Sequence, residues 1–216
     1  MTELKKRLFT SILLFLILFL CIYSQIVLTF FLVLCFYQMI FEFYFILSKI
    51  FKQSKLNIYL SMIFLMIMLC YIIISVWTTI SGDDRDAQLA FFLIVSITIS
   101  TDIGGFVFGK IFKGKKLSKI SPKKTYSGMI GSYIVSFVVA YFLFENYLNI
   151  TDLIFFTLIL STSSQIGDLL ISYLKRKANI KDTGNILPGH GGLLDRFDGL
   201  ILTIPIGLII SKFYDL

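Results

Sequence analysis

Long apolar runs separated by short polar segments set the pattern of this chain. The runs cover residues 8–23, 26–47, 58–80, 89–108, 129–144, 153–174 and 199–213. A helix needs about 20 apolar residues to cross the hydrocarbon core of a bilayer, and most of these runs reach or approach that length. The pattern predicts an all-α integral membrane protein, a polytopic bundle of about seven transmembrane helices forming one domain over 1–216. Ser24-Gln25 divides the first two runs, and neither an internal repeat nor a flexible linker interrupts the others. The basic start followed by an apolar run looks like a secretory leader. No small-residue cleavage site follows it and further spans come after, so it is read as a retained first helix.

Composition agrees with this reading. Hydrophobic residues make up 57% of the chain, charged residues only 15%, and the mean hydropathy is +0.87. No polar segment is long enough to bury a core of its own, which excludes an appended soluble domain. Cys21, Cys35 and Cys70 all lie inside apolar runs, none at metal-ligand spacing, and are expected to act as small packing residues.

Charge placement predicts the orientation. The net charge is +7, and 18 of the 20 basic residues fall on one side of the predicted spans. They lie before the first span, between the second and third, between the fourth and fifth, and between the sixth and seventh. The positive-inside rule puts those segments in the cytoplasm and the C-terminus outside.

Two carboxylates break the apolar pattern. Asp102 sits in STDIGG and Asp168 in STSSQIGDLL, each about six residues, or about 9 Å, from a basic loop. A carboxylate within a span is costly unless paired or hydrated, and such residues commonly mark a site. Two at similar depth point to a polar cavity open to the cytoplasm. Gly104, Gly105 and Gly167 would let helix backbones approach closely there. Glu42 also lies within a span, near its cytoplasmic end, and is given no role.

The loops supply the remaining chemistry. Seven lysines lie between 110 and 124, where Pro122 stiffens the chain just before Lys123, Lys124 and Thr125. Lysine is a flexible point charge suited to phosphate. The loop after Lys175 mixes Lys175, Arg176, Lys177, Lys181 and Arg196 with Asp182, Asp195 and Asp198, and it holds the one histidine, His190. Carboxylates with glycine-rich backbone suit a hard cation such as Mg²⁺, which takes one or two carboxylates together with water and phosphates. Asp195 and Asp198, spaced i, i+3, would share a face if the last span begins there. The combination predicts phosphoryl or nucleotidyl transfer involving a lipid.

The stretch SYLKRKANIKDTGNILPGHGGLLDRFD, 172–198, resembles the signature of the phosphatidate cytidylyltransferases, or CDP-diacylglycerol synthases. Ser172, Lys175, Arg176, Lys181, Asp182, Pro188, Gly189, His190, Gly191, Gly192, Asp195, Arg196 and Asp198 fall on that signature. The segment ISPKKT at 120–125, Asp102 and the pair Gly167-Asp168 resemble further parts of it, so the likeness spans about 100–200. The chain departs from the family's usual residues at Ser127, Ile171 and Gly104-Gly105. The resemblance implies transfer of the cytidylyl group of CTP to phosphatidate, giving CDP-diacylglycerol and pyrophosphate. It implies Mg²⁺ with a possible second cation, contact with membrane lipids, a homodimer and a bacterial inner-membrane location with cytoplasmic active-site loops. Nucleic acid is not an expected partner.

By the same resemblance Asp168, Asp195 and Asp198 hold metal. Lys175, Arg176 and Arg196 stabilise charge on the leaving pyrophosphate, His190 orients a phosphate, and Asp182 either joins the metal or pairs with a neighbouring base. Lys123, Lys124, Thr125, Ser172, Lys181, Gly189, Gly191, Gly192 and Asp102 contact substrate. The alternatives are a cytidylyltransferase for another lipid phosphate, or an inactive or transport-type membrane relative.

Overall fold

The computed structural model describes residues 12, 16–17, 19–21, 23–52, 54–118, 120–184, 186 and 191–213. The helices are α1 (Gln25–Ile50), α2 (Lys55–Ser81), α3 (Arg85–Phe112), α4 (Tyr126–Phe144), α5 (Ile150–Lys177), α6 (Leu194–Phe197) and α7 (Leu200–Phe213). Five of them, α1 to α5, are long and apolar enough to cross a membrane. The seven expected spans are thus matched by five of the described helices. The run 8–23 lies largely outside the described residues, and α7 has 14 residues, which at 1.5 Å each fall short of a bilayer core of about 30 Å.

The polar breaks read from the sequence become caps. Ser24 is extended (φ −137°, ψ 111°) and its side chain accepts from the Val27 N–H, starting α1. Ser54 does the same for α2 through Asn57, and Thr125 for α4 through Gly128. Each satisfies an N–H that the first helical turn leaves unpaired.

Side chains are distributed inside-out relative to a water-soluble protein. Phe30, Phe64, Phe106 and Phe142 are 68–73% exposed, whereas Ser136, Ser161 and Ser164 are fully buried. Large apolar residues facing outward with small hydroxyls between helices is the arrangement lipid favours, because lipid tails do not drive apolar side chains inward.

The chain forms two compact units. One contains α1, α2, the end of α5 from Leu174 and the segment to Phe197. Here α1 and α2 run antiparallel: Gln25 Nε2 donates to the Ser81 carbonyl and Trp77 Nε1 to Thr29 Oγ1. Cys35, Met39, Leu69 and Leu193 form its core, edged by Phe31, Leu65 and Phe197.

The other unit contains α3, α4, α5 as far as Tyr173, and the chain from Asp198 including α7. Its α3 and α4 pack backbone to backbone. A Cβ on Gly104 would stand 2.5 Å from the Gly131 carbonyl oxygen, and one on Gly128 2.7 Å from that of Gly105. Ser132 Oγ donates to the Thr101 carbonyl at 2.7 Å across the same seam. Gly104-Gly105, a departure from the family pattern, is therefore what this close crossing needs. A Cβ on Gly131 would overlap Phe108. Gly131→Ala is expected to lower stability by about 1–3 kcal/mol through overpacking, read as a lower Tm in detergent. Ile130→Ala, at an exposed neighbour, serves as the control, with an expected effect within about 0.5 kcal/mol.

Candidate active site

The first polar group builds from the loop between α3 and α4. Lys113 ends α3 in the left-handed region (φ 44°). The chain then doubles back: Leu117 N donates to the Lys124 carbonyl at 2.8 Å and Tyr126 N to that of Lys115 at 3.0 Å. A turn at Ser121-Pro122-Lys123-Lys124 closes through Lys124 N and the Ser121 carbonyl, 3.1 Å apart. Proline pre-sets φ for the second position of such a turn. Lys124 is thereby held by backbone bonds on both its N–H and its carbonyl, while Lys123 points to an exposed position. Thr125 caps α4, and Ser127, another departure from the family, accepts from the Gly114 N–H at 3.2 Å and bonds Thr125 Oγ1 at 3.0 Å. Ser127 thus braces the base of the lysine loop.

Lys124 forms an ion pair with Asp168 on α5. The other Asp168 oxygen accepts from Ser172 Oγ at 3.3 Å, one helical turn on. Asp102 on α3 is exposed and interacts electrostatically with both Asp168 and Lys124. Lysine loop, α3 and α5 therefore bring Lys124, Asp102, Asp168 and Ser172 together. The turn after α6 completes the group's setting. A Cβ on Gly167 would stand 2.5 Å from the Asp198 carbonyl oxygen, and one on Gly199 2.6 Å from Ser164 Oγ. The Asp198-Gly199 backbone thus lies against α5 beside Asp168. Ser164 Oγ is buried there with no hydrogen-bond partner among the described residues.

A second group lies in the other unit. Asp195 Oδ1 accepts from Lys175 Nζ at 2.6 Å. Its Oδ2 accepts from the N–H of Thr183 at 2.8 Å and of Gly192 at 3.1 Å. Burial alone would raise the Asp195 carboxyl; the hydrogen bonds from Lys175, Thr183 and Gly192 and the Lys175 charge outweigh it and hold it below its usual value of 3.8. The unfolded chain then binds a proton more readily than the folded one. This contribution to stability is complete above the usual carboxylate range and fades as pH falls through the depressed folded value. Lys175→Met removes the strongest of the lowering contacts and leaves burial. Its Tm is expected to be lower at pH 7 and to fall less on acidification than that of the unsubstituted protein, so that the two curves converge in a detergent melt scanned from pH 7 down to about 3.

Glu42 of α1 enters this second group, and sequence reasoning passed it over. Its Oε1 accepts from Gln38 Nε2 at 2.7 Å and Leu193 N at 2.9 Å. Its Oε2 accepts from Thr183 Oγ1 at 2.6 Å and Leu194 N at 2.9 Å. The residue is 1% exposed. The available signal was its presence in an apolar span, where an acidic side chain needs a compensating partner.

Arg176, Lys181, Asp182 and Arg196 are exposed, with Arg176 reaching the Ile180 carbonyl at 3.5 Å. Gly191 takes φ +85°, with space for a Cβ limited by Asp195 Oδ2 at 3.0 Å. Gly189 and His190 lie outside the described residues. Asp195 and Asp198 do not share a continuous helical face as expected. The helix α6 ends at Phe197 and α7 starts at Leu200, so Asp198 sits in the turn between them. The two aspartates also belong to different compact units.

Among the described residues no three His, Cys, Asp or Glu side chains gather into a metal cage. Mg²⁺ does not require one, being held by one or two carboxylates with water and phosphate oxygens. Asp168 and Asp198 could supply oxygens of that kind; both Asp168 oxygens are engaged by Lys124 and Ser172, as both Asp195 oxygens are by Lys175, Thr183 and Gly192.

Outward apolar faces around buried hydroxyls, with carboxylate–lysine pairs at the helix ends, define a polytopic membrane protein with polar sites set among its helices. The chain belongs to the cytidylyltransferase family, whose family model matches residues 1–214. It is 46% identical to the phosphatidate cytidylyltransferase of Rickettsia felis over 148 residues, 64% of this chain and 65% of the relative. It is 47% identical to that of Staphylococcus aureus strain COL over 120 residues, 53% of this chain and 45% of the relative. The chain thus spans less than two thirds of the length of these relatives.

Proposed function

We propose that this protein transfers the cytidylyl group of CTP to phosphatidate, forming CDP-diacylglycerol and releasing pyrophosphate. The observation that carries the reading is Lys124, fixed through its own backbone and paired with Asp168, in a chain of the cytidylyltransferase family. A phosphatidate oxygen attacks the α-phosphorus of CTP, the new P–O bond forms, and the bond to the β-phosphate oxygen breaks. The protein's work is then to position the phosphates and neutralise their charge. Lys124 leaves Asp168 for a phosphate oxygen when substrate arrives, and the exposed Lys123 adds a second cation. Mg²⁺, held by Asp168 and Asp198 together with phosphate oxygens, would supply charge neutralisation and alignment of the triphosphate. The family resemblance assigns Lys175, Arg176 and Arg196 to the charge on the departing pyrophosphate, and Asp195 holds Lys175 in place. Asp102 and the glycine seam of α3 lie where the lipid head group would enter. The reading includes a second cation, a homodimer, a place in the bacterial inner membrane and a site facing the cytoplasm. The basic loops support that orientation.

The test is formation of labelled CDP-diacylglycerol from labelled CTP and phosphatidate by the purified protein in detergent, with Mg²⁺ and with EDTA. Turnover that requires the cation supports the reading. Folded protein that converts CTP only with a different lipid phosphate would replace phosphatidate as the acceptor, and absence of CTP turnover with any lipid phosphate would sink it.

A further inference from the structure

We propose that Glu42 and Thr183 form a positioning clamp for the signature loop, by which a carboxylate inside the first described span sets the place of Asp195 and Lys175. The inference rests on the reaction proposed above for its kinetic test, but its geometry stands apart from it.

Glu42 is buried and its two oxygens receive four donors, two of them the backbone N–H groups of Leu193 and Leu194. Those amides open α6 and have no partner within it, so the carboxylate satisfies both. Thr183 joins the two acidic groups. Its hydroxyl carries one proton, and Oγ1 stands 2.6 Å from Glu42 Oε2 against 3.1 Å from Asp195 Oδ2. The shorter contact takes the proton, and the Thr183 N–H goes to Asp195 at 2.8 Å. One residue therefore ties the loop to Glu42 by its side chain and to Asp195 by its backbone. The glycines fit the same clamp: a Cβ on Gly184 would come 3.0 Å from Glu42 Oε1, and one on Gly192 2.5 Å from Oε2.

Glutamine cannot reproduce this. If its NH₂ replaces Oε1 it faces the Leu193 N–H; if it replaces Oε2 it faces the Leu194 N–H. Gln38 can flip and the Thr183 hydroxyl can turn to accept, but a backbone N–H cannot become an acceptor. One amide loses its partner in either orientation. Aspartate keeps both oxygens on a side chain one methylene shorter and restores part of the clamp.

The experiment compares the full-length protein with Glu42→Gln, Glu42→Asp, Thr183→Val, Thr183→Ser and the double variant Glu42→Gln/Thr183→Val. CTP and phosphatidate turnover is measured well below each variant's Tm, so that all are folded. Glu42→Gln is expected to lower kcat by about 10²-fold, the effect of displacing catalytic groups by about 1 Å. Its KM for phosphatidate is expected to stay within about threefold, as when groups acting in the transition state are displaced while ground-state binding is kept, and titration of active protein by CTP binding separates this from a fall in the folded fraction. Thr183→Val is expected to fall in the same direction, Thr183→Ser to stay near the unsubstituted protein, and the double variant to be no worse than Glu42→Gln alone. A wild-type kcat in Glu42→Gln, or losses that simply add in the double variant, overturns the clamp. If Glu42→Gln does not fold, Thr183→Val against Thr183→Ser decides, and equal kcat for the two overturns it. Should the unsubstituted protein not turn over CTP and phosphatidate, the proposed reaction fails rather than the clamp. Hydrogen exchange then decides, because the peptide holding Leu193 and Leu194 must exchange faster in Thr183→Val than in Thr183→Ser.

Discussion

Asp168→Asn is expected to lower CTP-dependent turnover by about 10²–10³-fold, the scale seen when a charge-stabilising group is removed from a reacting centre. Asparagine is nearly the same shape and can still accept from Ser172. It carries no charge, so it neither holds Lys124 at rest nor binds a hard cation among phosphates. The Lys124–Asp168 pair is only about one-quarter exposed on each side, so neutralising Asp168 leaves Lys124 partly buried and unpaired and lowers Tm as well. The expected signature is a large drop in kcat that persists when the assay is run well below the variant's Tm. The Mg²⁺ concentration giving half-maximal rate should also rise. Labelled-CTP assays over a Mg²⁺ series measure both. Turnover within about threefold of the unsubstituted protein would remove Asp168 from the reaction.

Gly192→Ala is expected to disorder the signature loop and lower stability by about 1–3 kcal/mol, the usual cost of overpacking a buried position. The new Cβ would collide with Thr183 Oγ1, and would stand 2.5 Å from Glu42 Oε2 and 2.7 Å from the backbone nitrogen of Gly184. A free side chain could swing away, but Glu42 is held by four donors and Gly184 N is main chain. Gly184→Ala meets its nearest atom at 3.0 Å and should be milder. Detergent melts of the two variants, with trypsin cleavage rates after Lys181 and Arg196, rank them. Equal Tm values for Gly192→Ala and the unsubstituted protein would mean that the loop packs differently around Glu42.

The membrane character and helix positions were legible because hydrophobicity along the chain decides them without reference to any distant residue. The runs 26–47, 58–80 and 129–144 became helices, begun a few residues earlier by the caps Ser24, Ser54 and Thr125. The glycines at 104 and 105 were correctly read as a close helix crossing. Asp168 was legible for a related reason: a carboxylate inside an apolar span needs a partner, and Lys124 supplies it. The polar stretch ISPKKT told which loop was built, though not that its turn aims Lys124 at α5.

The partnerships were not legible. Glu42 lies 141 positions from Thr183, and nothing local to either residue announces the other. The expected helical pairing of Asp195 with Asp198 failed at Gly199, where the chain turns instead of continuing from α6 into α7. That turn needs a glycine because Ser164 stands against it, a contact no local pattern contains. By itself the sequence determined that this is a helical membrane protein of the cytidylyltransferase type with acidic and basic groups at its helix ends, since burial preference and short motifs are properties of single segments. Only the tertiary structure decided which carboxylate meets which donor, because hydrogen bonds and close backbone contacts depend on distances between segments that are remote in the chain.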